Sequence, residues 1–198
     1  MCAEKIRLFV AADITDEIRE LISDAMRGLQ GEGMNARWVK PENLHLTLKF
    51  IGEYGEDGLD RLSNELRVAA ERSKPFTAVL TGCGAFPSPR KARILWVGMH
   101  GGVEEASKVA RKLDARLEKV GVKREQRPFR GHITLARLRQ AWDCTAVLES
   151  MNRGMEGLHN MPFRVEEIVL YRSMLEPQGP IYTALERMTL GGARGEEG

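Results

Sequence analysis

The sequence is short of several things that would each announce a class of protein. Cysteine occurs three times in 198 residues, as Cys2, Cys83 and Cys144, without a Cys-x-x-Cys pair. An odd and scattered set excludes a disulfide framework and a zinc ribbon, and reads as reduced structural thiols. No apolar run approaches the roughly 18 residues that cross a bilayer. Met1-Cys2-Ala3-Glu4-Lys5 does not open a secretory signal, so no membrane segment and a cytoplasmic location are expected. The net charge is only +2, which by itself predicts no nucleic-acid partner. Histidine is scarce, four residues in all, and no two stand at His-x-x-x-His spacing. Gly-x-Gly-x-x-Gly after a strand and a Walker sequence are also missing, so neither a metal nor a nucleotide cofactor is expected.

What is present is ordinary in bulk and unusual in pattern. Apolar residues make up 42% and charged residues 29%, the balance of a globular chain long enough for one substantial core. Two of the four histidines lie in near-identical stretches, His45-Leu46-Thr47-Leu48 and His132-Ile133-Thr134-Leu135, 87 residues apart. In an extended strand, His45 and Thr47 share one face while Leu46, Leu48 and Phe50 share the other. His132 and Thr134 behave alike. The same offset relates Leu8-Phe9-Val10 to Leu95-Trp96-Val97 and Pro75-Phe76 to Pro162-Phe163. A single offset kept over most of the chain predicts a duplicated unit, two halves about an approximate twofold, with both histidine–threonine pairs on one cleft. Residues 1–190 are expected to form this bilobal domain and 191–198 a flexible tail.

The remaining pattern is of α+β type. Strands are predicted at 7–12, 45–51, 76–81, 94–99, 163–172 and 181–188, with a second His-x-Thr strand from 132. Helices are predicted after Thr15, over 59–70, over 103–120 and from about Asp143. Gly82 to Lys91, rich in glycine and proline, reads as a loop whose basic end meets phosphate or solvent. His100 and His159 read as loop residues.

Two histidines facing one substrate supply a neutral base and a protonated acid together, because histidine titrates near ~6.5. That suits in-line displacement at phosphorus, where a nucleophile is activated on one side and a leaving oxygen protonated on the other. Threonine hydroxyls two residues on donate to non-bridging oxygens as charge builds. Lys49, at the parity of His45, adds positive charge or is solvated. Phe9, Phe50, Phe86 and Trp96 stack a base or fill the core.

Four stretches carry a family resemblance: Arg7-Leu8-Phe9-Val10-Ala11; the run from Trp38-Val39-Lys40-Pro41 through His45 to Gly52; Phe129-Arg130-Gly131-His132-Ile133-Thr134-Leu135-Ala136-Arg137; and Leu170-Tyr171-Arg172-Ser173. Together they resemble the two-histidine (2H) phosphoesterases, specifically the RNA 2′,3′-cyclic phosphodiesterases, also called 2′-5′ RNA ligases. The resemblance implies a bilobal fold of two antiparallel sheets with helices outside and a central groove. It implies metal-independent hydrolysis of an RNA 2′,3′-cyclic phosphate end to a 2′-phosphate, tRNA fragments being one such RNA, with 2′-5′ joining as the related chemistry. By motif, His45 is the proton donor and His132 the acceptor, while Thr47, Thr134 and Arg137 bind phosphate. Strict alternation instead puts Arg137 on the Ile133 face, which it leaves only if the strand bulges, whereas Arg130 has the favourable parity. Gly131 departs from the proline common in the family at that place. A monomer is the default. Other readings stay open: a 2′-5′ oligoadenylate or other cyclic phosphonucleotide as substrate, or a nucleotide- or RNA-binding module without turnover.

Overall fold

In a computed structural model that describes residues 4–29, 35–177 and 179–191, α-helices separate runs of one to three strands along the chain. They are β1 (Lys5–Asp13), α1 (Asp16–Leu29), β2 (Ala36–Trp38), β3 (His45–Gly55), α2 (Leu59–Glu71), β4 (Phe76–Phe86), β5 (Ala92–Gly101), α3 (Val103–Leu117), β6 (His132–Trp142), α4 (Thr145–Gly154), β7 (Pro162–Val165), β8 (Glu167–Glu176) and β9 (Gly179–Thr189). The sheet runs β7-β4-β5-β6-β3-β1-β8-β9, with β2 beside β6, and the pairings are antiparallel. Two halves, β7-β4-β5-β6 with β2 and β3-β1-β8-β9, therefore meet where β3 meets β6, through one register pair, Leu46 with Ile133. The expected two sheets are joined at that pinch into one path.

The helices lie outside. α2 and α3 pack together against β3, β8 and β9, and α1 packs with α4, which lies on β4. Thr15 caps α1, its Oγ1 accepting from the Ile18 amide at 3.4 Å, and Ile18, Ile22 and Met26 are fully buried one turn apart. Each side chain of that size stabilises the fold by about 1.5–3 kcal/mol.

Three sequence expectations are corrected. Gly82 and Gly84 belong to β4 rather than a loop. A Cβ on Gly82 would meet Asn152 Oδ1 at 2.5 Å, and one on Gly84 would meet the Trp96 ring at 2.3 Å. These glycines admit a neighbouring side chain rather than a turn. The strand expected over 163–172 is two strands, because the chain changes halves at Glu166: β7 pairs with β4 and β8 with β1. His100 lies within β5, its ring stacked 6.2 Å from that of His159. Of the expected tail, Gly191 is tied to the Ala70 carbonyl at 3.0 Å, and 192–198 lie outside the described residues.

Two bulges decide which side chains reach the groove. Along β1, Val10 pairs with Lys49 but Ala11 with Thr47, so Leu48 is an extra residue. Along β5, Trp96 pairs with Thr134 but Leu95 with Ala136, so Leu135 is extra. Leu48 and Leu135 are themselves 87 residues apart. Each bulge reverses the alternation beyond it. Lys49 thereby turns away from His45 and is buried, its Nζ 2.5 Å from Asp114 on α3 and 2.7 Å from the Lys123 carbonyl. The expected added charge in the groove is not there. Lys49→Met strands Asp114 beneath α3, and a loss of about 3 kcal/mol is expected in chemical denaturation.

Candidate active site

The pinch between the halves assembles the histidines. With Leu46 opposite Ile133, the antiparallel count sets His45 across from Thr134 and Thr47 across from His132. The four side chains form a two-by-two array with the histidines on one diagonal. Diagonal neighbours in a sheet lie about 7–8 Å apart, enough to hold one phosphate between them.

Both rings are held the same way. His45 Nδ1 lies 2.7 Å from the Asn43 carbonyl and His132 Nδ1 lies 2.7 Å from the Arg130 carbonyl. A carbonyl only accepts, so each Nδ1 carries the hydrogen and each Nε2 is left to exchange a proton. His45 Nε2 is 2.9 Å from Thr47 Oγ1, whose hydroxyl donates to the neutral ring.

Aromatic walls flank each imidazole. Phe9 stacks on His45 at 4.9 Å, and Tyr182 meets it edge-on at 5.5 Å. Phe86 meets His132 edge-on at 5.2 Å, with Trp96 at 6.4 Å. Phe9 and Trp96 stand at the 87-residue offset, so each half contributes an aromatic from the same place. Burial pulls the His45 pKa down to about 4, against the Asn43 carbonyl and the Asp13 carboxylate, which raise it, and with His132 and Arg137, which lower it further. His132 is also lowered, first by burial, against the Arg130 carbonyl and with Arg137.

Arg137 thus acts on both rings. The Leu135 bulge brings it to the histidine face and resolves the conflict with strict alternation. Arg130 instead stands over the Phe86 ring, 5.9 Å from its centroid. Phe50, expected on the face of Leu46 and Leu48, is moved by the Leu48 bulge to the groove face, 61% exposed beside Phe9.

Asp13 and Tyr171 were not singled out from sequence as site residues. Asp13 pairs with His45 in the β1–β3 register, accepts from Tyr171 Oη at 2.6 Å and from Arg187 at 3.0 Å. Only the strand register reveals it. Because the Asp13 charge favours protonated His45, Asp13→Asn is expected to lower the His45 pKa further, read by NMR titration of the ring. Among the described residues no group of three His, Cys, Asp or Glu side chains could hold a metal ion, and no helix is long and apolar enough to cross a membrane.

The profile of the family described as LigT like Phosphoesterase matches residues 8–96 and again 97–182. The chain belongs to the LigT-like phosphoesterases. Among its LigT-like relatives, the protein of Methanothermobacter thermautotrophicus named RNA 2′,3′-cyclic phosphodiesterase is 35% identical over 92% of this chain and 97% of that one. The Archaeoglobus fulgidus protein of the same name is 35% identical over 91% and 98%. The crystal structure of Thermus thermophilus TT0787 superposes with a TM-score of 0.77 at 28% identity, covering 95% of this chain and all of that one. Escherichia coli LigT complexed with 3′-AMP gives 0.73 at 30% identity, covering 94% and 99%. The LigT-like fold is thus matched along nearly the whole chain.

Proposed function

We propose that this protein opens the 2′,3′-cyclic phosphate at the end of an RNA, leaving a 2′-phosphate. The observation that carries the reading is the pair of histidines on one groove face, each fixed at Nδ1 by a carbonyl, with Arg137 acting on both. His132 Nε2 takes a proton from water as the water oxygen bonds to phosphorus. The bond from phosphorus to the 3′ oxygen breaks, and His45 Nε2 gives that oxygen its proton. Thr47, Thr134 and Arg137 hold the non-bridging oxygens. Asp13 beside His45 supports the assignment of the acid, since a carboxylate stabilises an imidazolium. The anionic substrate acts in the same direction, lifting the depressed pKa of His45 toward the working range.

Acid, base and charge stabilisation all come from side chains, so the reaction needs no metal. A 5′-hydroxyl in place of water gives a 2′-5′ bond by the same displacement. Both pairs come from one chain, which supports action as a monomer, and the continuous sheet supports 1–190 as one bilobal domain. RNA ends in the cytoplasm, tRNA fragments among them, are the substrates under this reading. The names of the Methanothermobacter and Archaeoglobus relatives and the 3′-AMP complex of LigT lend it support.

The test is a short RNA with a 2′,3′-cyclic phosphate, incubated with the protein and EDTA, the products separated by chromatography. A 2′-phosphate is expected. A 3′-phosphate, or an unchanged substrate that turns over only with added metal, contradicts the reading.

A further inference from the structure

The groove is not electrically symmetric. On β6 beyond the bulge, buried Ala136 and Leu138 alternate with exposed Arg137 and Arg139. On β2 the register sets Arg37 directly opposite Arg137, and cross-strand partners share a face. Three guanidinium groups therefore lie on the histidine face of this half, leading away from the catalytic pair. Among the described residues none of the three has a carboxylate within ion-pair distance. Among the described residues Arg37 makes one long hydrogen bond, to the Pro177 carbonyl at 3.5 Å.

The other half has more of its arginines paired. Arg172 lies 4.0 Å from both Glu4 and Glu56 and Arg187 bridges Asp13 and Glu167, while Arg7, across from Glu53 in the β1–β3 register, makes no ion pair among the described residues. Even Arg124, 87 residues after Arg37, is held by Glu118 at 2.8 Å. The cluster of three unpaired guanidinium groups stands on one side of the catalytic pair, where a polyanion continuing from the reacting phosphate would run.

We infer that Arg37 and Arg139 form a track for the phosphodiester backbone on the 5′ side of the reacting end, making a polynucleotide the preferred substrate over a free cyclic mononucleotide. The inference rests on the proposed function and specifies its substrate. Side chains two apart on a strand recur every ~6.7 Å, a step that follows successive phosphates along an extended single strand. The guanidinium fork matches phosphate oxygens. Backbone recognition of this kind positions without reading bases, so the track favours length rather than sequence.

The experiment compares a 2′,3′-cyclic mononucleotide with an oligoribonucleotide of about eight nucleotides carrying the same end, over a range of salt, for the unaltered protein and for Arg37→Gln with Arg139→Gln. The unaltered protein is expected to favour the oligonucleotide. In the double variant KM for the oligonucleotide rises about two- to fivefold for each arginine removed, with kcat unchanged. The slope of log KM against log salt falls by about 0.7 for each phosphate that is no longer neutralised. Mononucleotide kinetics stay as they were, which also shows that the variant is folded. Equal loss on both substrates, or an unchanged oligonucleotide KM and salt slope, overturns the track. Turnover of neither substrate by the unaltered protein overturns the proposed function itself.

Discussion

His132→Ala and His45→Ala are each expected to lower kcat for cyclic-phosphate opening by about 10²–10⁴-fold while leaving the fold intact. Both rings lie at the first residue of a strand on the groove face, so truncation empties part of the groove and leaves the core undisturbed. The loss is expected in kcat, because proton transfer is needed in the transition state rather than for binding. Acid and base act in one displacement, so the double variant should be little worse than either single one. Loss of turnover in only one variant would reduce the mechanism to a single histidine. The free protein holds both histidines below the ordinary value. Because kcat/KM reports the free protein, both limbs of its pH profile should therefore lie below pH ~6.5, the acidic one set by the more depressed His45 and the alkaline one by His132.

Arg137→Ala is expected to cost about 10²–10³-fold in kcat/KM, the scale of losing a donor aimed at developing charge. Arg137→Lys should restore part of this, since an ammonium keeps the charge but not the planar fork. A second readout separates a role in the site from a structural one. Arg137 lowers the pKa of both histidines, so its removal should raise both in an NMR titration. Unmoved histidine titrations with unchanged turnover would place Arg137 outside the site. Arg130→Ala, which removes a side chain resting on Phe86, should have a much smaller effect.

The contrast between these residues shows what a sequence can reveal here. His45, Thr47, His132 and Thr134 were legible because alternation over three residues is local, and the 87-residue repeat put both pairs in equivalent places. Arg137, Lys49 and Phe50 were misplaced or left undecided because the bulges at Leu48 and Leu135 exist only in pairing with β1 and β5. One extra residue reverses every side chain after it. Asp13 was invisible for a related reason. Its partners His45 and Tyr171 meet it only through registers among three strands. Gly82 and Gly84 misled because glycine serves both a turn and a close approach, and the Trp96 ring that requires Gly84 lies on the neighbouring strand.

The division of labour between the histidines is tested most directly with a cyclic substrate whose 3′ oxygen is replaced by sulfur, a leaving group that departs without a proton. Turnover of this substrate should return in His45→Ala to near the level of the unaltered protein and remain lost in His132→Ala. Rescue of the His132 variant instead, or of neither, would contradict the assignment of His45 as acid and His132 as base.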